Sequence, residues 1–320
     1  MRKGHKRPRD GRDAGRLPAY DARTMPTPSH ALLPFLAALA GVGFLSLMDA
    51  FMKDAALMIG AYTATVLRSA VGAALIAPVW LARRPAWPTL AVWKLHLTRG
   101  VVSAFMALTF FFSLTRLPLA EAIALSFIAP LIALYLARVL LGEVISRAAI
   151  GASLLGFAGT LVIIGGRIGQ GEFDEDAAWG VAALFASALL YAYNFIVIRR
   201  QAQVAGPIEI TTFHSGIAGL VLLTLAPWLW TPPHEGALMP LLAAGALTVA
   251  GSLAIAWAYA RAEAQALVPT EYSGFVWAAL FGWLFFREDV TLPTLAGTAL
   301  IVTGCWLAAR APRPATIAAN

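Results

Sequence analysis

In a chain of 320 residues, 59% are hydrophobic and only 13% are charged, about half the charge that a water-soluble domain carries. A single solvated core has no way of hiding that much apolar side chain, so the solvent for most of this chain is lipid. The net charge of +7 is gathered at one end: residues 1–30 hold eight Lys/Arg against three Asp, which excludes a uniformly basic, nucleic-acid-coating surface.

That head predicts a basic, disordered tail over residues 1–30 on the cytoplasmic face of a membrane. It lacks the short apolar core and small-residue cleavage site of a removable signal. Within lipid only helices or closed barrels satisfy the backbone. The apolar runs here are about 20 residues long rather than ten-residue alternations, so helices are expected.

The first predicted span covers Leu32 to Phe51, with Gly41 and Gly43 near its middle, and a polar turn at Lys53 and Asp54 follows. The second, Tyr62 to Leu81, carries Arg68 in its interior. A connector rich in Pro, Trp and basic residues leads to the third, His96 to Leu114, with Arg99 near its start. The fourth, Leu119 to Leu140, is expected to kink at Pro130. After the hinge LLGEVISR, with Glu143, comes a glycine-rich fifth span, Ala148 to Gly165, whose small residues permit close helix packing. An acidic stretch, Arg167 to Trp179, separates the halves. Five more spans are expected near 180–198, 208–229, 238–260, 266–286 and 292–309, with Cys305 as a small packing residue in the last. A lone cysteine excludes an internal disulfide and a Cys-based metal site.

Basic residues set the orientation. With the N-terminus inside, eighteen Lys/Arg fall on cytoplasmic segments and four on outer ones, placing both termini in the cytoplasm. The halves also repeat. A shift of 146 lays Thr65 to Arg68 on Thr211 to His214, and Lys53 on Arg199. A shift of 145 lays Arg116 on Arg261, Glu143 on Glu288 and Gly159 on Gly304. Five spans per copy is an odd number, so the copies enter the membrane in opposite directions, as in alternating-access carriers. The expected fold is an all-α integral membrane protein of ten transmembrane helices, arranged as two inverted five-helix repeats over 31–166 and 177–310. A short cytoplasmic tail, 311–320, closes the chain.

The segment LPLAEAIALSFIAPLIALYLARVLLGE with the glycine-bearing span after it, and PTEYSGFVWAALFGWLFFRED in the second half, resemble the EamA-domain carriers of the drug/metabolite transporter superfamily. The resemblance covers about 31–310. It implies secondary transport of small organic molecules, including export of amino acids and metallophores and uptake of S-adenosylmethionine or riboflavin.

Ionisable groups inside spans are costly and so become candidates for function. Arg68 is either a counter-ion for an anionic or zwitterionic substrate or a structural arginine paired with Asp49. His214, its counterpart, either titrates in a proton-coupled cycle or packs as a neutral ring. Glu121 either serves the site or pairs with Arg116, and Glu271 with Tyr272 forms a comparable candidate near the start of the ninth span. Tyr191, Tyr193, Asn194, Trp257 and Tyr259 either orient a ring-bearing ligand or line the inner interface. Glu143 and Glu288 read as hinge contacts. A Walker phosphate loop, HExxH and GxSxG are all missing, so no cofactor or enzymatic activity is expected. The expected partners are the bilayer, a small-molecule substrate and protons as the coupling ion, with no nucleic acid. The functional expectation is a gradient-driven carrier in the cytoplasmic membrane, as an exporter, with uptake of an S-adenosylmethionine- or riboflavin-like metabolite as the alternative. A membrane-embedded lipid enzyme and a scaffold are the readings from other classes.

Overall fold

The structure, a computed structural model, describes residues 32–83, 86–141, 147–169, 173–201, 204–259, 261, 267 and 270–310. The two expected tails and the hinge residue Glu143 lie outside the described residues. Helices dominate, and no strand occurs among the described residues.

Helix α1 (Leu32–Ile59) runs past its expected end, so Lys53 and Asp54 are helical rather than in a turn. Burying Lys53 is tolerable because its ammonium is partnered. It donates to the Leu117 carbonyl at 2.7 Å and pairs with the Glu288 carboxylate. The turn comes instead at Gly60, whose φ of 80° only glycine adopts cheaply. Helices α2 (Ala61–Ala82) and α3 (Leu90–Leu114) follow, the latter starting well before His96. The fourth span is broken into α4 (Leu119–Ser126) and α5 (Ala129–Leu141). The break precedes Pro130, which has no N–H to offer the Ser126 carbonyl.

Next come α6 (Arg147–Gly169), α7 (Glu175–Gln201) and α8 (Pro207–Leu223), then a short α9 (Ala226–Leu229). A 3-10 turn leads into α10 (Leu238–Tyr259), followed by α11 (Ser273–Phe286) and α12 (Leu292–Arg310). Arg287, in the left-handed region at φ 57°, ends α11 and turns Glu288 back over Gly282. Among the described residues, five helices are long and apolar enough to cross a bilayer, and five apolar helical stretches are shorter.

The main packing partners are α1 with α10, α3 with α7, α2 with α8 and α6 with α12. Lipid gives apolar faces no reason to associate, so backbones must approach closely to gain dispersion contacts. Glycine permits this at two crossings. A Cβ on Gly41 would lie 3.1 Å from the Gly251 carbonyl oxygen, and one on Gly159 only 2.5 Å from that of Gly297. Large apolar side chains such as Leu90, Trp228 and Leu292 are instead turned outward, more than 70% exposed, which lipid accommodates and water would not.

Candidate substrate-binding site

Helices α2 and α8 lie side by side, and α3 and α10 close the space between them. On α2, Thr65, Arg68, Ser69 and Gly72 fall one helical turn apart and so share a face. His214, Ser215 and Ala218 do the same on α8. Together with Ser103, Ala104 and Ala107 of α3 and Thr248 of α10, they line a cavity of about 10 Å³, close to the size of one water molecule. Ser103 and Thr248 stand near the midpoints of their helices, which puts the cavity at mid-bundle.

The polar groups around it differ in how well they are satisfied. The hydroxyls of Thr65 and Ser69 donate to carbonyls of their own helix, at 2.6 and 2.8 Å. Arg68 Nε, Ser103 Oγ and His214 Nδ1 are buried with no hydrogen-bond partner among the described residues. The Arg68 guanidinium rests over the Phe111 ring at 5.3 Å. It is attracted by the Asp49 carboxylate of α1, while Arg68 and Arg99 both act electrostatically on His214. The cavity therefore presents one guanidinium, partly balanced by Asp49, with two further unpartnered polar atoms beside it, a set that can meet an anionic group.

Eight of its eleven lining residues come as counterparts from the two halves. Arg68 and His214, Ser69 and Ser215, and Gly72 and Ala218 are each related by the 146-residue shift, and Ser103 and Thr248 by 145. Only the Arg68/His214 pair was singled out from the sequence. The two serine-bearing pairs obey the same registers, but serine inside a helix gives no signal without a partner to compare.

The other candidates lie elsewhere. Glu121 is buried and accepts from Arg167 Nη1 at 2.9 Å and from Thr294 Oγ1 at 3.2 Å. Its expected partner Arg116 stacks on Phe112 at 3.7 Å and faces Asp176 at 3.5 Å. Asn194 is buried on α7 away from the cavity, with Oδ1 unpartnered among the described residues. Tyr191 on the same helix is 39% exposed. Trp257 is also partly exposed, under the Arg261 guanidinium at 4.2 Å. Glu271 is exposed, and Tyr272 packs edge-on against Phe127 at 5.7 Å.

A second polar cluster, unforeseen from the sequence, sits where α3 and α8 begin and α7 ends. His96 is 1% exposed and stacks on Phe213. Its Nε2 is 3.0 Å from Glu209 Oε1 and its Nδ1 is 2.6 Å from Gln201 Nε2. Arg99 Nη1 donates to Gln201 Oε1 at 2.9 Å. No group of three His, Cys, Asp or Glu able to hold a metal occurs among the described residues.

Known proteins resemble this chain along most of its length. The EamA-like transporter family matches it twice, over 32–165 and 178–310. A pseudopaline exporter of Pseudomonas aeruginosa is 30% identical over 276 residues, covering 84% of this chain and 93% of that protein. A riboflavin transporter of Rhizobium johnstonii is 30% identical over 219 residues, covering 66% and 68% respectively. One crystal structure superposes with a TM-score of 0.58 at 22% identity, over 88% of this chain and 97% of its own, a likeness of fold alone. Matches of this extent, on a scaffold of long apolar helices, make the chain a multi-pass membrane protein of the EamA-like transporter family.

Proposed function

We propose that this protein is a gradient-driven carrier of small polar metabolites bearing a carboxylate, working by alternating access in the cytoplasmic membrane. The observation that carries the reading is the buried Arg68 guanidinium. It faces a mid-bundle cavity built from matching positions of both halves, with Nε, Ser103 Oγ and His214 Nδ1 free to meet a ligand. A cavity of one-water size admits no metabolite, so loading requires the halves to part.

The helix pairing supports ten spans in two inverted repeats, 31–166 and 177–310. Exchanging the halves turns the α1–α10 contact into α7–α3, and returns α2–α8 and α6–α12 to themselves. The exchange holds at single residues: the Gly41–Gly251 approach becomes Ser187–Met106, where Ser187 Oγ donates to the Met106 carbonyl at 2.9 Å. Basic side chains favour cytoplasmic termini. The Pseudomonas relative is named an exporter, and export is the direction adopted here. Uptake is the alternative.

A thermal-shift panel on detergent-solubilised protein tests the reading, since a ligand that binds only the folded state raises the melting temperature. Carboxylate-bearing metabolites should raise it for the wild type and not for Arg68→Gln, while methyl esters of the same compounds should not. Equal stabilisation by acids and esters, or stabilisation that survives Arg68→Gln, would overturn the assignment.

A further inference from the structure

The hydrogen bonds around His96 fix where its ring proton is. A guanidinium only donates, so the Gln201 atom facing Arg99 is the carbonyl oxygen, and the amide nitrogen faces the ring. That nitrogen donates to His96 Nδ1. The ring proton is therefore on Nε2, donated to the Glu209 carboxylate. His96 thus sits between a donor at Nδ1 and an acceptor at Nε2.

We propose that His96 is the binding site of the coupling proton, a role that rests on the carrier reading above. A second proton must go onto Nδ1, where two N–H groups would then collide. The Gln201 amide has to turn over to accept from the new Nδ1–H. Its NH2 group then faces Arg99, donor against donor, and that hydrogen bond is lost. Protonation thus strengthens the tie from α3 to α8 through Glu209 and releases the tie from α3 to α7 through Gln201. The freed Arg99 is also one of the two guanidiniums acting on His214 in the cavity, so the substrate site feels the change.

Among the described residues the charged groups around His96 are few. From α8 come Glu209 and, beyond Phe213, His214. From α3 comes Arg99 beyond Gln201, with Lys94 exposed. Helix α7 contributes the Gln201 amide, with Arg200 exposed, and α2 contributes Trp80 behind Phe213, with Arg83 exposed. Glu209 is the carboxylate among these groups, 3.0 Å from the ring.

The cluster also breaks the internal symmetry. The counterparts of His96, Arg99, Gln201 and Glu209 are Leu241, Ala244, Ala55 and Thr63, none of which titrates. A proton bound on the symmetry axis would stabilise both orientations of the carrier equally and shift nothing. One bound at a single end has different affinity in the two states, which coupling requires.

The test needs no transported substrate, so it fails separately from the carrier reading. Full-length protein carrying 15N-histidine is placed in lipid nanodiscs and titrated from about pH 8 to about pH 5, with His96 assigned by loss of its signal in His96→Gln. Spin labels at Leu97 on α3 and Arg200 on α7, both exposed, report the helix separation in parallel. The expected result is an Nε2–H ring at high pH, both nitrogens protonated at low pH, and a separation that widens with the same midpoint. His96→Gln should abolish the widening. Gln201→Glu, whose carboxylate accepts from Nδ1–H and pairs with Arg99 at once, should keep the ring protonated throughout and the separation fixed. A ring that stays neutral across the range, an Nδ1–H tautomer at high pH, or widening that persists in either variant would overturn the proposal.

Discussion

Lys53 and Glu288 stand 235 positions apart and share one ion pair, which fastens α1 to the turn after α11. The two residues also serve the start of α4. Glu288 Oε2 accepts from the Leu119 N–H at 2.7 Å, and Lys53 Nζ donates to the Leu117 carbonyl at 2.7 Å. A carboxylate at a helix N-terminus takes up an amide with no partner in its own helix and meets the positive end of the helix dipole. Gly282 leaves room for it: a Cβ there would lie 2.9 Å from Glu288 Oε2. Met52, Ile59, Leu114, Leu117 and Leu119 pack around this knot, all below 2% exposure.

Removing both members should therefore cost less than the sum of removing each alone. Lys53→Met leaves the Glu288 carboxylate with only the Leu119 amide in a largely buried place, and a loss of about 3 kcal/mol is expected. Lys53→Met combined with Glu288→Gln should lose clearly less than the two single changes added together. Reversible denaturation in mixed micelles measures the cycle. Strict additivity would mean that the pair contributes nothing as a pair.

Glu121 offers a sharper separation of stability from binding. Its carboxylate joins Arg167 of α6 and Thr294 of α12 to α4, away from the cavity. Glu121→Gln keeps the size and the hydrogen bond with Thr294 but removes the negative charge that faces the Arg167 guanidinium. The expected outcome is a stability loss of about 2 kcal/mol with ligand affinity unchanged. A large loss of affinity at unchanged stability would return Glu121 to the substrate site.

The contrast shows what the sequence makes legible. Long apolar runs and their repeat are local and periodic, so the helices and the Arg68/His214 correspondence can be read from the chain. Partnerships across the bundle cannot. Glu121 was matched to Arg116 because they are neighbours in sequence, yet helical geometry turns Arg116 onto Phe112 and brings Arg167 instead. Lys53 looks like a turn residue until its distant partner is known. His96 looks like the start of a span, because nothing local announces Gln201 and Glu209. The aromatic candidates Tyr191 and Trp257 fit a ligand site as well as an interface by residue type, and neither is among the residues lining the cavity.

Ser103 and Thr248 are corresponding positions facing one cavity from opposite halves, yet Ser103 Oγ is unpartnered among the described residues whereas Thr248 Oγ1 already donates to the Ala244 carbonyl at 2.7 Å, so they should behave differently. Each hydroxyl given to a bound ligand contributes about 1 kcal/mol. Ser103→Ala should weaken binding by about fivefold and Thr248→Val much less, and isothermal titration with the best stabilising acid measures it. Equal losses in the two variants would show that Thr248 turns its hydroxyl from the Ala244 carbonyl to the ligand.

Glycines on one helix separate close packing from helix propensity. On α6, a Cβ at Gly159 would meet the Gly297 carbonyl oxygen at 2.5 Å and Ile301 Cγ1 at 2.8 Å, whereas one at Gly151 meets nothing within 4 Å. The Gly297 oxygen is backbone and yields only if α12 moves as a whole. Gly159→Ala should therefore destabilise by about 1–3 kcal/mol through overpacking. Gly151→Ala, which gains rigidity at no steric cost, should stabilise by about 0.5–1 kcal/mol. Unfolding of both variants in the same micelles decides the matter. If the two substitutions shift stability in the same direction by similar amounts, the α6–α12 crossing is not held at the backbone distance described.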